Sequence, residues 1–162
     1  MHFKVEHRFN IEPNKLWNIL SSDDFREQLN QKNRIKSKII SQTDEAGIRK
    51  VQSEIVYVDP LPKIEAKLLG TSHLSYTLEQ RISDKKWLSQ WRILIPKLGN
   101  KIKAQGQFQL IAEGSRSQRN ILGEIAVSVP LIGRKIEKNI VSKLQSSYDN
   151  SAEFIASWIQ KS

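Results

Sequence analysis

Cysteine is absent from all 162 residues, which excludes a disulfide framework, thiol chemistry and any thiolate metal site and fits a reducing compartment. No apolar run approaches the roughly 18 residues that a membrane-crossing helix needs. The opening Met1-His2-Phe3-Lys4-Val5-Glu6 alternates in polarity instead of forming the apolar block of a signal peptide, so a cytoplasmic protein is expected. Histidine is scarce. His2, His7 and His73 lie in two distant places and form no spaced ligand set with carboxylates, so neither a metal nor a cofactor is expected. Nucleophile elbows, phosphate loops and dinucleotide-binding glycine patterns are missing as well. Without repeats, low-complexity tracts or linkers, residues 1–162 read as one domain, long enough to bury roughly 70% of its unfolded surface.

What the chain does have is positive charge. Twenty-six Lys and Arg against 17 Asp and Glu give a formal net charge of +9, which favours anionic partners through long-range attraction. The cations are spread along the chain, at Arg34, Lys36 and Lys38, at Lys97, Lys101 and Lys103, and at Arg134, Lys135 and Lys138. A solvated basic surface explains them, with peripheral contact to an anionic membrane the next reading and nucleic acid disfavoured.

Hydrophobic periodicity divides the chain into strands and helices. Phe3, Val5, His7 and Phe9 alternate with polar neighbours and predict a first strand with one buried face. Asn10 as a cap, Pro13, and the cluster Leu16, Trp17, Ile19 and Leu20 predict a short helix; Ser22-Asp23-Asp24 opens a second that ends by Lys32. Alternation returns from Arg34, with a turn at Asp44-Glu45-Ala46-Gly47 between two antiparallel strands. Asp59-Pro60-Leu61-Pro62 interrupts the sheet, and the apolar stretch from Ile64 to Leu69 predicts a helical turn or a flap. Further strands run through Leu74 to Ile82, Trp87 to Ile95, Ala104 to Leu110 and Ile121 to Val127, joined by short polar turns.

A long amphipathic helix closes the chain. Ile132, Ile136, Ile140, Leu144, Tyr148, Ile155 and Ile159 form its stripe, which predicts one face buried throughout. About 30 residues would span roughly 45 Å, so the helix must cross several strands diagonally. Gly133 in its first turn predicts close approach to neighbouring backbone.

Strand, two short helices, a run of antiparallel strands and a long final helix: this order resembles the α+β helix-grip fold of the START-like, polyketide cyclase-like (SRPBCC) superfamily. Two segments sharpen the resemblance, Val5-Glu6-His7-Arg8-Phe9 with Pro13-Asn14-Lys15-Leu16-Trp17, and Val129-Pro130-Leu131-Ile132-Gly133 with Ile136-Glu137, the latter similar to an uncharacterised bacterial branch. The resemblance implies a curved antiparallel sheet wrapped around the last helix, and a cavity between them with residues 60 to 70 at its mouth.

Apolar parity then assigns the wall of that cavity to Tyr57, Tyr76, Leu78, Trp91, Ile93, Phe108 and Leu110, facing Leu144, Tyr148 and Ile155 of the helix. Ser53, Ser89, Ala104, Gly106 and Gly123 share the parity; small side chains there would leave volume for a ligand, or let the sheet bend while aromatics fill the space. The expected partner is a hydrophobic or amphipathic small molecule such as a lipid, quinone or polyketide. The alternatives are a cyclase or aromatase with His7 or Tyr148 as acid–base group, and a basic module for membrane or nucleic acid. Glu54, Glu79 and Glu124 have outward parity and are expected to pair across strands. Lys85 to Arg92 interleaves base and aromatic, but Trp87 and Trp91 share the parity of Ile93 and should point inward.

Overall fold

The computed structural model describes residues 1–161. Its elements follow the order β1 (His2–Phe9), α1 (Pro13–Ser21), α2 (Asp23–Lys32), β2 (Ile35–Glu45), β3 (Ile48–Pro60), α3 (Lys63–Leu69), β4 (His73–Ser83), β5 (Leu88–Leu94), β6 (Ile102–Glu113), β7 (Arg116–Val127) and α4 (Gly133–Lys161). All seven strands form one antiparallel sheet in the order β1-β7-β6-β5-β4-β3-β2. β1 and β2 therefore sit at opposite edges, and α1 and α2 carry the chain between them.

Local chemistry accounts for most boundaries. Ser22 serves two helices at once: its hydroxyl donates to the Ile19 carbonyl at 2.8 Å and accepts from the Phe25 amide at 3.3 Å, closing α1 and capping α2. Asn10 is not the cap of α1. Glu12 holds that position without a side-chain bond, and Pro13 at the first turn removes an amide that would otherwise want an acceptor. The β2–β3 hairpin is tighter than the sequence suggests, since Asp44 and Glu45 remain paired with Arg49 and Ile48. Its two turn residues, Ala46 and Gly47, both have positive φ (51° and 79°), the geometry a two-residue hairpin requires. Residues 63–69 form a helix, not an irregular flap. Trp87 packs half-buried against the core as expected, but from the β4–β5 turn at φ 50° and not from β5.

Two clusters divide the core along α4. Phe3, Val5, Trp91, Ala104, Ile121 and Ile125 pack beneath Ile136 and Val141 of its first half. Phe9, Leu16, Trp17, Phe25 and Leu110 gather around Ile155 in its second half, where Phe25 meets Phe154 and Trp158 with ring centroids 5.4 and 5.3 Å apart. A Cβ on Gly133 would overlap the Val127 carbonyl oxygen, so the expected close approach at the helix start is present. The stripe is not uniformly buried, however. Ile136, Val141, Ser151 and Ile155 are buried, whereas Ile140, Leu144 and Tyr148 between them are only half-buried.

A row of inward positions runs Phe3, Gly123, Gly106, Trp91 across β1, β7, β6 and β5. The Trp91 indole reaches back over both glycines and toward Phe3, whose ring centroid is 6.4 Å away. The outward face carries the paired charges foreseen for it, Arg92 with Glu79 at 2.6 Å and Lys103 with Glu124 at 3.3 Å.

Candidate functional site

Where α4 stands off the sheet there is a cavity of about 370 Å³, within the roughly 300–1,000 Å³ of small-molecule sites. Its sheet wall consists of Tyr76, Leu78, Ser89, Trp91, Ile93 and Phe108; Leu144, Tyr148 and Ile155 face them from α4, and Trp17, Phe25 and Leu29 close the end. A larger open depression of about 1200 Å³ crosses the outer sheet face, lined by mutually paired polar residues such as Arg92, Gln105 and Gln107; it is a solvated surface.

Nine of the residues expected at the wall are thus brought together. Four others are elsewhere, as are the small residues Ala104 and Gly123 that share their parity. Gly106 lies under the Trp91 indole, with ring atom Cζ2 only 2.6 Å from where its Cβ would be, and does not line this cavity. Leu110 is 2% exposed within the cluster around Ile155. Ser53, 5% exposed, sits beside Leu78 one strand away, and Tyr57 stands behind Tyr76, hydroxyl to hydroxyl at 3.5 Å. Residues 60 to 70 do not touch the cavity. Its exposed lining residues are Ser21, Arg26 and Ser147, beside half-buried Leu29, Asn33 and Arg49, which puts the entrance between α2 and α4. That end is fastened by Asp84, which accepts from Trp17 Nε1 at 2.9 Å and Arg49 at 3.1 Å.

Sequence reading missed the principal polar residue, Arg119 on β7. The signal was available: Ser117, Arg119, Ile121, Gly123 and Ile125 share one parity, so extending the strand back two residues places an arginine inward. Its side chain is 3% exposed and lines the cavity. The guanidinium donates to Ser151 Oγ at 3.1 Å, the Tyr148 carbonyl at 3.0 Å and His7 Nδ1 at 2.9 Å, and lies against the rings of Phe9 and Tyr148 at 5.4 and 5.7 Å. Because arginine only donates, His7 Nδ1 must accept; its Nε2 then carries the proton and donates to Asp149 at 2.8 Å. His7 does not line the cavity, and both its ring nitrogens are engaged.

Burial shapes the electrostatics. It pulls Arg119 down to about 10 against the opposing pull of Tyr148 and Asp149, so the side chain remains cationic at neutral pH. Burial raises the Tyr148 hydroxyl despite Arg119, and raises Tyr76 well above the ordinary tyrosine value, with Tyr57 adding to the effect. Both phenols therefore stay protonated. Three buried polar atoms have no hydrogen-bond partner among the described residues: Ser89 Oγ, Trp91 Nε1 and Arg119 Nε. All three belong to residues of the cavity wall.

The fold recurs in solved structures. Norcoclaurine synthase from Thalictrum flavum superposes with a TM-score of 0.68 at 10% identity, covering 100% of this chain and 87% of that one. TTHA0849 from Thermus thermophilus gives 0.67 at 12% identity over 97% and 98% of the two chains, and the Zhui aromatase/cyclase from a Streptomyces species gives 0.65 at 10% identity over 99% and 94%. At such identities the likeness is one of fold, the START-like helix-grip fold expected from the order of elements. No curated protein matches by sequence. A family model does, over residues 4–159, and the chain accordingly belongs to the family described as "Protein of unknown function (DUF2505)".

Proposed function

We propose that this protein binds a hydrophobic or amphipathic small molecule in the cavity between the sheet and α4. The observation that carries the reading is the half-buried middle of α4: Leu144 and Tyr148 continue the apolar stripe, yet pack only partly against the sheet and also line about 370 Å³ of space. Burying those surfaces against a ligand would contribute the stabilisation that packing leaves unrealised there. Aromatic and aliphatic walls suit lipid, quinone or polyketide skeletons alike. A cyclase would need an acid–base group at the ligand; His7 is outside the cavity, and Tyr148, held protonated, is available there as an acid but not as a base, which favours binding over base-catalysed chemistry.

Two measurements test this. Native mass spectrometry of detergent-free protein, followed by organic extraction, should release a stoichiometric apolar molecule. Nile red should bind the emptied protein, and Leu144→Trp, which fills the space, should abolish that binding while preserving the circular dichroism spectrum. Unchanged dye affinity in the folded variant refutes the assigned cavity.

A basic, partly apolar end of the molecule, away from the cavity entrance, supports peripheral docking on an anionic membrane. Lys67, Lys97, Lys101, Arg134, Lys135 and Lys138 are exposed and form no ion pair among the described residues. Their segments adjoin, for a Cβ on Gly70 would overlap Lys97, the Ser128 amide donates to the Lys101 carbonyl at 2.7 Å, and Asn139 reaches Glu65 at 3.4 Å. Leu131 projects among them, fully exposed and at φ 70°, a tip suited to insertion between anionic head groups. Flotation with phosphatidylglycerol vesicles should succeed where phosphatidylcholine vesicles fail, and Leu131→Ser should weaken it; equal recovery on both lipids sinks this part of the reading.

A further inference from the structure

From the donors on the cavity wall we infer that the ligand carries a carboxylate or a similar compact anion, seated at Arg119. The inference rests on the container reading above and narrows it to a chemical class. Arg119 Nε and Trp91 Nε1 can only donate a hydrogen bond, and Ser89 Oγ can donate one. All three are buried without a partner on residues of one cavity wall, and such groups are costly to leave unmet. A ligand offering only donors would leave Arg119 Nε and Trp91 Nε1 so, whereas an acceptor oxygen seated at Arg119 would satisfy its Nε.

Charge makes the acceptor an anion. The guanidinium is 3% exposed, and everything it bonds is neutral: a serine hydroxyl, a backbone carbonyl and an imidazole nitrogen. No carboxylate is within ion-pair distance of it among the described residues; Asp149 is reached only through His7. The faces of Phe9 and Tyr148 offset part of the charge. A buried cation normally sits beside a counter-ion, and here Arg119 lines the cavity without one and with its Nε unbonded. The anion's hydrocarbon portion would then lie along Leu78, Phe108 and Leu144. Arg119 is in this view a binding residue, and His7 and Asp149 position it.

Calorimetry with 2-naphthoate and 2-naphthamide on the delipidated protein tests the inference, because the pair shares shape and differs in charge. Wild-type protein should bind the carboxylate at least roughly tenfold more tightly than the amide. That ratio should persist in roughly half-molar salt, which screens surface lysines but not a buried pair. Arg119→Met should bring the ratio close to one while leaving amide affinity nearly unchanged; Arg119→Lys should restore part of it. Equal wild-type affinities overturn the anion site and leave the container standing. A preference that survives Arg119→Met, or collapses with salt, assigns the anion to the outer basic surface and overturns it too. Binding of neither compound, with no molecule released on extraction, overturns both.

Discussion

Gly106 and Gly123 face each other across β6 and β7, and replacing each with alanine separates two kinds of crowding. Neither has positive φ, so alanine should gain about 0.5–1 kcal/mol by restricting the unfolded chain. Opposing this, a Cβ at Gly106 would overlap the Leu122 carbonyl oxygen and lie 2.8 Å from Gly123 Cα. Those are backbone atoms of a paired strand and cannot move independently. Overpacking typically costs about 1–3 kcal/mol, and fixed obstacles place this site at the upper end, for a net loss of about 2 kcal/mol. At Gly123 the obstacles are the Phe3 ring edge and, at 3.0 Å, Trp91 Cζ2. Side chains can yield, so the net loss there should stay below about 1 kcal/mol. At about 2–4 °C per kcal/mol for a chain of this size, Gly106→Ala should lower Tm by about 4–8 °C and Gly123→Ala by less than about 4 °C. Thermal circular dichroism and urea titrations with unchanged m-values would measure both. Equal Tm values for Gly106→Ala and wild type, or the reverse order, would falsify this account of the crowding at the two glycines.

Three further outcomes follow from burial and pH. Tyr76 has its ionisation pushed upward, so the stability it contributes is complete below the ordinary tyrosine value of about 10 and declines as pH rises beyond it; Tyr76→Phe should flatten the alkaline fall in urea midpoint, and an identical fall would refute this. Burial works against the Asp84 carboxylate, but hydrogen bonds from Trp17 and Arg49 prevail and hold it below its ordinary value. Its contribution is therefore present above about pH 4 and lost as pH drops below, and Asp84→Asn should remove that acid-limb slope. Ile125→Ala, at a fully buried site that does not line the cavity, should cost about 2–5 kcal/mol in chemical denaturation. Leu144→Ala, beside existing space, should cost about 1–2 kcal/mol; equal losses would contradict a standing cavity.

The sequence revealed the elements wherever side-chain parity and caps speak for themselves. Phe3, Val5 and Phe9 announced β1, Ser22 announced α2, and Gly133 announced the contact with the Val127 carbonyl. Four features stayed hidden, each because it depends on something beyond local pattern. Trp87 packs inward as its parity suggested, but its place in a turn at positive φ was not visible in the alternation. Gly106 looked like vacant space because a tryptophan one strand away fills it. The entrance between α2 and α4 depends on how helices dock, which periodicity does not encode. Arg119 escaped because a charged residue on a strand is read as outward until its neighbours' parity is counted, and its partners His7, Tyr148 and Ser151 come from β1 and α4.

The pairing of β1 with β7 has a consequence for how the molecule comes into being. Phe9 lies opposite Ser117 and His2 opposite Glu124, and β1 has no other strand beside it. On the ribosome the first strand emerges with its donors and acceptors open and must wait for more than 100 residues before its partner exists. The meander from β2 to β7 can zip hairpin by hairpin in the meantime, with α1 and α2 forming locally. Sequence-distant closure of this kind slows folding, and an unpaired apolar strand is what chaperones bind and what neighbouring chains can capture. Val5 and Phe3 reach the core only after β7 has arrived to receive them.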